Sequence, residues 1–583
     1  MLHTKNHKVV PLFDPWEFLG PKRRKLMEQS WAGVFRQHIL TELPVSQLKP
    51  FFASDVGRPT KELYSIIGAL VLQQMHDLSD EQTVSQVAFN QQWHYALDIT
   101  DASDHSTYLC EKTLWNFRSI MVRNGLDICV FNQTAEKLAQ VFDVDTHKQR
   151  LDSVHIKSNM RNLGRIGIFT KSIHKFLVNV QRQHRERLHH IDSDIVDRYL
   201  SKKALECFSM VKPSESAATL AQVSLDLYTL VEQFGTDQQV RGMHSFKLLE
   251  RVLTEQCTLH SPAQGEESTA VQLKPTRDIS SDTLQNPSDP DAGYCAHKGK
   301  GYKVQVMETY SEETDPEKKS QQLDLITHVA VESAHHHDTH ALLPAIQSTQ
   351  ARDLGPTQVL CDAHYGSDDN CRNAKQSGVD ILSPAMGSAT KPYGLASFTF
   401  GARGETVCCS QGNTPIKVRT RANRYMALFN SDHCSNCPFV SQCMVRQGKR
   451  GYYLNYTDKE QRCVQRRKHE LTAAFRDRYR WRAGVEATMS AYDRLTGVKQ
   501  LRVRGLPAVR FAAVLKAVAV NIIRATAVAR ARNQHNGAGP QPNPACKRLL
   551  GLFKELFMTC QIKIAGFLMA RSNVFGYRPN FTV

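Results

Sequence analysis

The sequence predicts an α/β protein, a mixed sheet flanked by helices, preceded by an all-helical domain and interrupted by insertions. Three observations carry that expectation. Apolar residues recur at three- and four-residue spacing through residues 14–145, as in Leu63, Ile66, Ile67, Leu70 and Val71 and again in Leu114, Phe117, Ile120 and Met121, which is the period of an amphipathic helix. The period falls to two at Gln149–Ser158 (QRLDSVHIKS), where Leu151, Ser153 and His155 face one way and Asp152, Val154 and Ile156 the other, as on a strand. Short apolar strands then alternate with helical stretches between residues 338 and 382, an order that requires some parallel pairing.

Taken along the chain, Pro59-Thr60 opens one N-terminal helix and Ser79-x-x-Gln82 has the form of a capping box for the next. This helical module suits either DNA recognition or dimerisation. After the strand at 149–158, long helical patterns are expected over Phe169–Phe208 and Ala217–Cys257, then a polar loop over Ser261–Gly293. Gly301–Tyr310 and Leu323–Ser333 read as an antiparallel pair. Asp338–Asp353 is helical, Thr357–Cys361 is a strand ending at Asp362, Ser367–Gln376 is helical, and Val379–Leu382 is another strand. Phe398–Tyr456 is a Cys-rich, β-rich insertion. Gln461–Leu495 forms one long basic helix, Pro507–Ala531 an apolar one, and NQHNGAGPQPNP from Asn533 a linker. The expected domains are 1–145, helical; 146–530, the α/β body with a helical insertion at about 165–260 and a Cys-rich one at about 385–460; and 531–583, a linker with a short helical tail.

A chain of 583 residues exceeds one compact core. With 41% hydrophobic and 22% charged residues it is neither wholly disordered nor collagen-like. Lys and Arg outnumber Asp and Glu by 74 to 57, and residues 444–532 alone hold 21 basic against 6 acidic side chains. That concentration favours a polyanionic partner. The longest apolar candidate for a membrane span, Leu63–Leu72, is short and contains Ser65 and Gly68, and Met1–Val9 is polar; a cytosolic protein without a membrane partner is expected. The 15 cysteines are then thiols or metal ligands.

Asp152 inside the first strand, Asp362 at the end of a later one and Glu486 on the basic helix stand where element ends meet. Three converging carboxylates make the oxygen-rich site that Mg²⁺ or Mn²⁺ prefers, and Arg478, Arg480, Arg482 and Arg494 around Glu486 would draw in a phosphodiester. Asp143, Asp145, Asp368 and Asp369 compete, but Asp152 and Asp362 lie in apolar strands. Cys434-x-x-Cys437 followed by Cys443 has the opening spacing of a structural zinc site, its fourth ligand open among Cys408, Cys409, His433 and Cys463. His335-His336-His337 reads as a solvated loop, since neighbours on an extended segment point apart. Lys298, Lys300 and Lys303 suit either phosphate contact or a solvated hairpin.

Four blocks carry a resemblance: LDSVHIKSNM around Asp152, HKGKGYKVQVMET at His297–Thr309, VLCDAHYGSDDN around Asp362, and YRWRAGVEATMSAYDRLTGVKQLRVRG at Tyr479–Gly505. Together with ELYSIIGALVLQQMHDLSDEQTVSQVAFN near the start, they resemble the DDE transposases of bacterial insertion sequences. The resemblance implies an RNase H-like sheet and a DNA transposase that binds terminal inverted repeats, cleaves the element's ends and joins them to target DNA. It implies two Mg²⁺ (or Mn²⁺) ions on Asp152, Asp362 and Glu486, with Tyr479, Arg482 and Glu486 sharing a helix face. It further implies DNA contacts from Tyr479, Arg482, Arg494, Lys499, Arg502, Arg504, Lys298 and Lys300, a homodimer on double-stranded DNA, and residence at the bacterial nucleoid. One departure stands out: the family places Lys seven residues after the Glu, where this chain has Asp493, followed by Arg494. A same-fold nuclease without strand transfer and a DNA-binding protein with a decayed site are the alternatives.

Overall fold

The period-two segment becomes the strand around which the fold is built. In the computed structural model, which describes residues 2–9, 14–54, 56–57, 59–201, 211–260, 270–386 and 392–536, this strand, β1, runs Lys148–Lys157. It pairs antiparallel with β2 (Gly299–Thr309), Asp152 lying opposite Val306. β2 pairs antiparallel with β3 (Ile326–Ser333). On its other side β1 pairs parallel with β4 (Gln358–Leu360), which pairs parallel with β5 (Asp380–Leu382). The order β3-β2-β1-β4-β5 is the mixed sheet expected from the alternating pattern, with a short strand Gly293–Cys295 added beside β2.

Both faces of the sheet are covered. Leu151 and Met307 point into a core with Leu342, Ile346 and Ala374 from the helices Leu342–Gln350 and Asp368–Gln376, and with Tyr365 from the loop before the second helix. On the opposite face, which Asp152 shares with Arg150, Val154 and their partners Val306 and Glu308, Asn521 of the helix Leu506–Asn536 hydrogen-bonds both the N–H and the carbonyl of Ile326. This helix is long and apolar enough, over Leu506–His535, to cross a membrane by length and composition, and 72% of an 18-residue apolar stretch within it is buried inside the protein. It is the apolar helix expected at Pro507–Ala531, and Lys516, Asn521 and Arg524 interrupt its apolar run. Lys516 is buried and donates to Asp77 Oδ1 at 2.7 Å.

The N-terminal region is helical as expected, with Leu63–Met75, Asp80–Phe89, Glu111–Arg123 and Leu126–Phe142 as its main helices. Ser79 and Gln82 form the reciprocal capping box. Asp127 pairs with Arg510 at 2.9 Å, joining these helices to the long apolar one. The chain divides into two compact units, residues 1–527 and 528–583, and of the second only residues 528–536 are described. The expected linker and tail therefore fall largely outside the described residues.

Several expected elements are shorter than the sequence pattern. The first long helix of the insertion is Arg165–Gln183, then Arg185–Leu188 and Ser193–Leu200, while residues 202–208 lie outside the described residues. The second is Ser216–Phe234, Gln238–Arg241 and His244–Gln256. Side-chain caps at Asp192 and Asp237 reset the backbone at these breaks. Within the stretch expected as loop, Ala270–Leu273 is a strand paired with Cys257–His260. The long basic helix is also divided, into Asp458–Glu470, Ala473–Tyr479, a 3₁₀ turn Arg480–Ala483, and Gly484–Thr496. The cap by Thr472 explains the first break.

Candidate active site

Asp152 leaves the middle of β1 on the face covered by Gly484–Thr496. Its Oδ1 accepts from the Ser153 N–H at 2.8 Å and its Oδ2 from Arg482 Nη2 at 2.8 Å. Asp362 lies two residues beyond β4, and its Oδ1 accepts from the His364 and Tyr365 N–H groups at 2.8 and 3.4 Å, an Asx turn that fixes the carboxylate at the strand end. Glu486 sits in the first turn of its helix, 3.7 Å from Arg482 Nη1, with its side chain 73% exposed. Arg482 thus stands amid all three nominated acids. Burial opposes its charge, but Asp152, Tyr479, Asp362 and Glu486 outweigh this and hold the guanidinium more firmly protonated than usual. Burial raises the pKa of Asp152, and Asp362 raises it further, against the Ser153 N–H, Arg482 and Lys298. A buried carboxylate beside a like charge is a group that favours a cation.

The turn carrying Arg482 is anchored from below. Arg150 on β1 donates to the Trp481 carbonyl at 2.9 Å and to Glu308 Oε1 at 2.7 Å. Glu308 is fully buried and also receives Thr488 and Arg524 Nη1 at 2.8 Å. Burial works against its charge, yet Arg524 and Arg150 hold it below the usual carboxylate range. Gly484 leaves room for this guanidinium, since a Cβ there would lie 2.2 Å from Arg150 Nη1 and would displace it. Sequence reasoning passed over Arg150 and Glu308. The signal was there in two opposite charges set within apolar strands, but their pairing depends on the β1–β2 register.

Tyr479, Arg482 and Glu486 do not share one regular helix face: they occupy a helix end, the 3₁₀ turn and the next helix start. The tighter turn nevertheless lets Arg482 reach both Asp152 and Glu486. The Tyr479 hydroxyl donates to the Cys361 carbonyl at 3.3 Å, its ring stacks on Phe475, and burial pushes its pKa up to about 12.

The basic residues differ in their surroundings. Arg494 and Lys298 are exposed. Asp493, in the position where the resemblance expects Lys, accepts from the Lys499 N–H at 3.1 Å and lies 3.5 Å from Lys499 Nζ, so it shapes the turn after its helix. Arg502 donates to the Asp77 carbonyl at 2.9 Å, and Arg504 to the Asn159 carbonyl at 2.8 Å. Lys300 is half-buried and donates to the Leu163 carbonyl at 2.9 Å, while Lys303 is buried on Asp338 at 2.8 Å. Of the competing acids, Asp368 is buried against Arg462 at 2.7 Å and Asp369 faces Lys459 at 3.5 Å. Asp145 pairs with His147, and Asp143 caps a helix in the left-handed conformation.

In the second insertion, Cys434, Cys437 and Cys443 line a cavity of about 30 Å³ together with Cys409 and His433. Burial and the neighbouring Cys409, Cys443 and Cys437 push the Cys434 thiol up to about 11. Cys463 lies instead beside Cys371, and Cys408 pairs with Thr399 on a separate hairpin. Among the described residues, no three His, Cys, Asp or Glu side chains are already set as a metal cage.

Residues 28–119 match the family described as Transposase domain (DUF772), and residues 407–526, which include Arg482 and Glu486, match the family described as Transposase DDE domain. These two stretches, which make up less than half of the chain, are thus similar to transposase families, the second of them to a DDE domain. Both matches are consistent with an insertion-sequence DDE transposase, a mobile-element protein. No curated protein matches the chain significantly.

Proposed function

We propose that the chain is a DNA transposase that binds the terminal inverted repeats of an insertion sequence and catalyses metal-dependent strand cleavage and strand transfer. The observation that carries this reading is the gathering of Asp152, Asp362 and Glu486 around the single guanidinium of Arg482. The all-oxygen donor set suits Mg²⁺ or Mn²⁺, and the three acids would hold two such ions in competition with the Arg482–Asp152 pair. When bound, the ions would supply the activation of an attacking oxygen and the neutralisation of a leaving one.

The protein's own groups then have defined tasks. The Asx turn at Asp362 and the Arg150–Glu308 anchor keep the acid-bearing elements in register, so that the phosphate is met by a preorganised site. Arg482, with the exposed Arg494 and Lys298, offers positive charge to the phosphodiester, and Tyr479, held on the Cys361 carbonyl, packs beside it. Lys499, Arg502 and Arg504 extend the basic track, and Lys300 supports the hairpin beneath it. The helical region at 1–145 recognises element ends, and two chains pair the two ends. A DNA substrate of this kind places the enzyme at the bacterial nucleoid. Cys434, Cys437 and Cys443, with Cys409 as the fourth ligand, would hold a structural Zn²⁺ that stiffens the insertion.

The test is incubation of purified protein and Mg²⁺ with duplex carrying the element's ends. Wild type is expected to nick the ends and join a 3′-OH to a second duplex, and Asp152→Asn to bind but not cut. Cleavage without joining would assign a nuclease. Binding without cleavage by wild type would assign a DNA-binding protein with a decayed site. Either result overturns the proposal.

A further inference from the structure

The second insertion holds a four-stranded antiparallel sheet, ordered β6 (Lys417–Arg421), β7 (Arg424–Phe429), β9 (Gly451–Thr457) and β8 (Arg446–Gly448). Its inner face is apolar: Ala427, Phe429, Tyr452, Leu454 and Tyr456 are buried with Val464 of the helix Asp458–Glu470. Residues directly opposite one another share a face, so the register defines the outer one. One row across it is Lys417, Leu428, Tyr453 and Arg446; the next is Arg419, Met426 and Asn455; the third is Arg421, Arg424 and Thr457. Lys417, Arg419, Arg421, Arg424 and Arg446 are all exposed. Among the described residues none of the five has an ion-pair partner. The Tyr453 ring lies across Gly448, whose added Cβ would fall 2.6 Å from it.

Edge strands often carry cations that discourage pairing with another sheet, and that would account for Lys417 or Arg419 alone. It does not account for Arg421 directly opposite Arg424, because like charges in a cross-strand pair are destabilising. Nor does it account for the surrounding sequence, where residues 406–457 hold seven Lys or Arg and a single acid, Asp432. An uncompensated cationic sheet with an aromatic ring and aliphatic side chains between the charges is a surface for a polyanion.

We propose that this outer face is a second DNA-binding surface, separate from the three acids, on which Lys417, Arg419, Arg421, Arg424 and Arg446 contact the phosphate backbone without reading sequence. The proposal rests on the reading of the chain as an enzyme acting on DNA. Lys417, Arg419 and Arg421 project from the same face at ~7 Å intervals, the two-residue repeat of a strand, so they track a backbone rather than grip one phosphate.

The test uses the full-length protein and the variant Arg419→Gln/Arg421→Gln/Arg424→Gln, with binding of a random-sequence duplex followed by fluorescence anisotropy over a range of salt. Each lost phosphate contact lowers the slope of log K against log salt by ~0.9, so the variant is expected to lose about 3 from its slope while its melting temperature is unchanged. Lys318→Gln/Lys319→Gln, on a separate surface helix, is expected to keep the wild-type slope. If wild type binds DNA and the triple variant shows the same slope, this inference fails and the proposed function stands. If wild type binds no DNA, the proposed function fails with it. Loss of binding to poly-glutamate with DNA binding intact would assign the face to an acidic protein and overturn the inference.

Discussion

Arg482 brings one positive charge among three acids, and Glu308, beneath it, brings one negative charge among two arginines and a threonine. The two clusters are linked through Arg150, which touches both the Glu308 carboxylate and the carbonyl next to Arg482. Burying ions is costly unless each is matched, and removing one member leaves the others uncompensated. Glu308→Ala would strand Arg150 and Arg524, and a loss of about 3 to 5 kcal/mol is expected, the usual cost of breaking a buried pair. Chemical denaturation of the variant checks this, and a loss below ~1 kcal/mol would show that the network is solvated rather than buried. Asp152 and Asp362 were legible at this scale because each interrupts an apolar strand pattern. The Arg150–Glu308 pair was not, because 158 residues separate its members.

At the scale of elements, periodicity located strands and helices well and their ends poorly. The basic stretch after Asp458 carries a continuous helical pattern, yet a Thr472 cap and a 3₁₀ turn divide it. Capping competes locally with propagation and leaves the apolar period nearly unchanged. The cysteine pattern shows a similar limit. Spacing identified Cys434, Cys437 and Cys443, but Cys409 joins them only because the insertion folds back on itself. If these four hold zinc, purified protein is expected to contain about one Zn²⁺ per chain, the stoichiometry of a closed four-ligand site. Cys409→Ser should lose it, and removal by chelation should open the insertion to proteolysis. Full retention of metal in Cys409→Ser would exclude that thiol as a ligand.

Across the whole molecule, the N-terminal segment is strapped to the helices by charge. His7 Nδ1 lies 2.9 Å from Asp98, which also pairs with Lys5 at 2.8 Å and Arg36 at 2.7 Å. Burial opposes the charged imidazole, but hydrogen bonds to Asp98 and Glu62 prevail and raise its pKa above 6.5. This stabilisation is present below pH 6.5 and is lost as pH rises through the raised value. Asp98, despite burial, is lowered from 3.8 to about 2 by His7, Lys5 and Arg36, so its contribution is present above pH 3.8 and fades as pH falls towards 2. The melting-temperature difference between wild type and His7→Ala should therefore be largest between pH 3.8 and 6.5 and shrink in alkaline buffer. A difference independent of pH would mean that His7 acts through packing alone.

The amino-acid sequence by itself determined the fold class, the central strand, the mixed pairing and the chemical character of the candidate site, because these follow from local periodicity and from charged residues placed within apolar runs. Only the tertiary structure decided that Arg482 stands among the three acids, that Arg150 and Glu308 support it, and that five cations share one face of the insertion sheet. Those relations depend on strand register and on contacts between residues far apart in the chain, which no local pattern encodes.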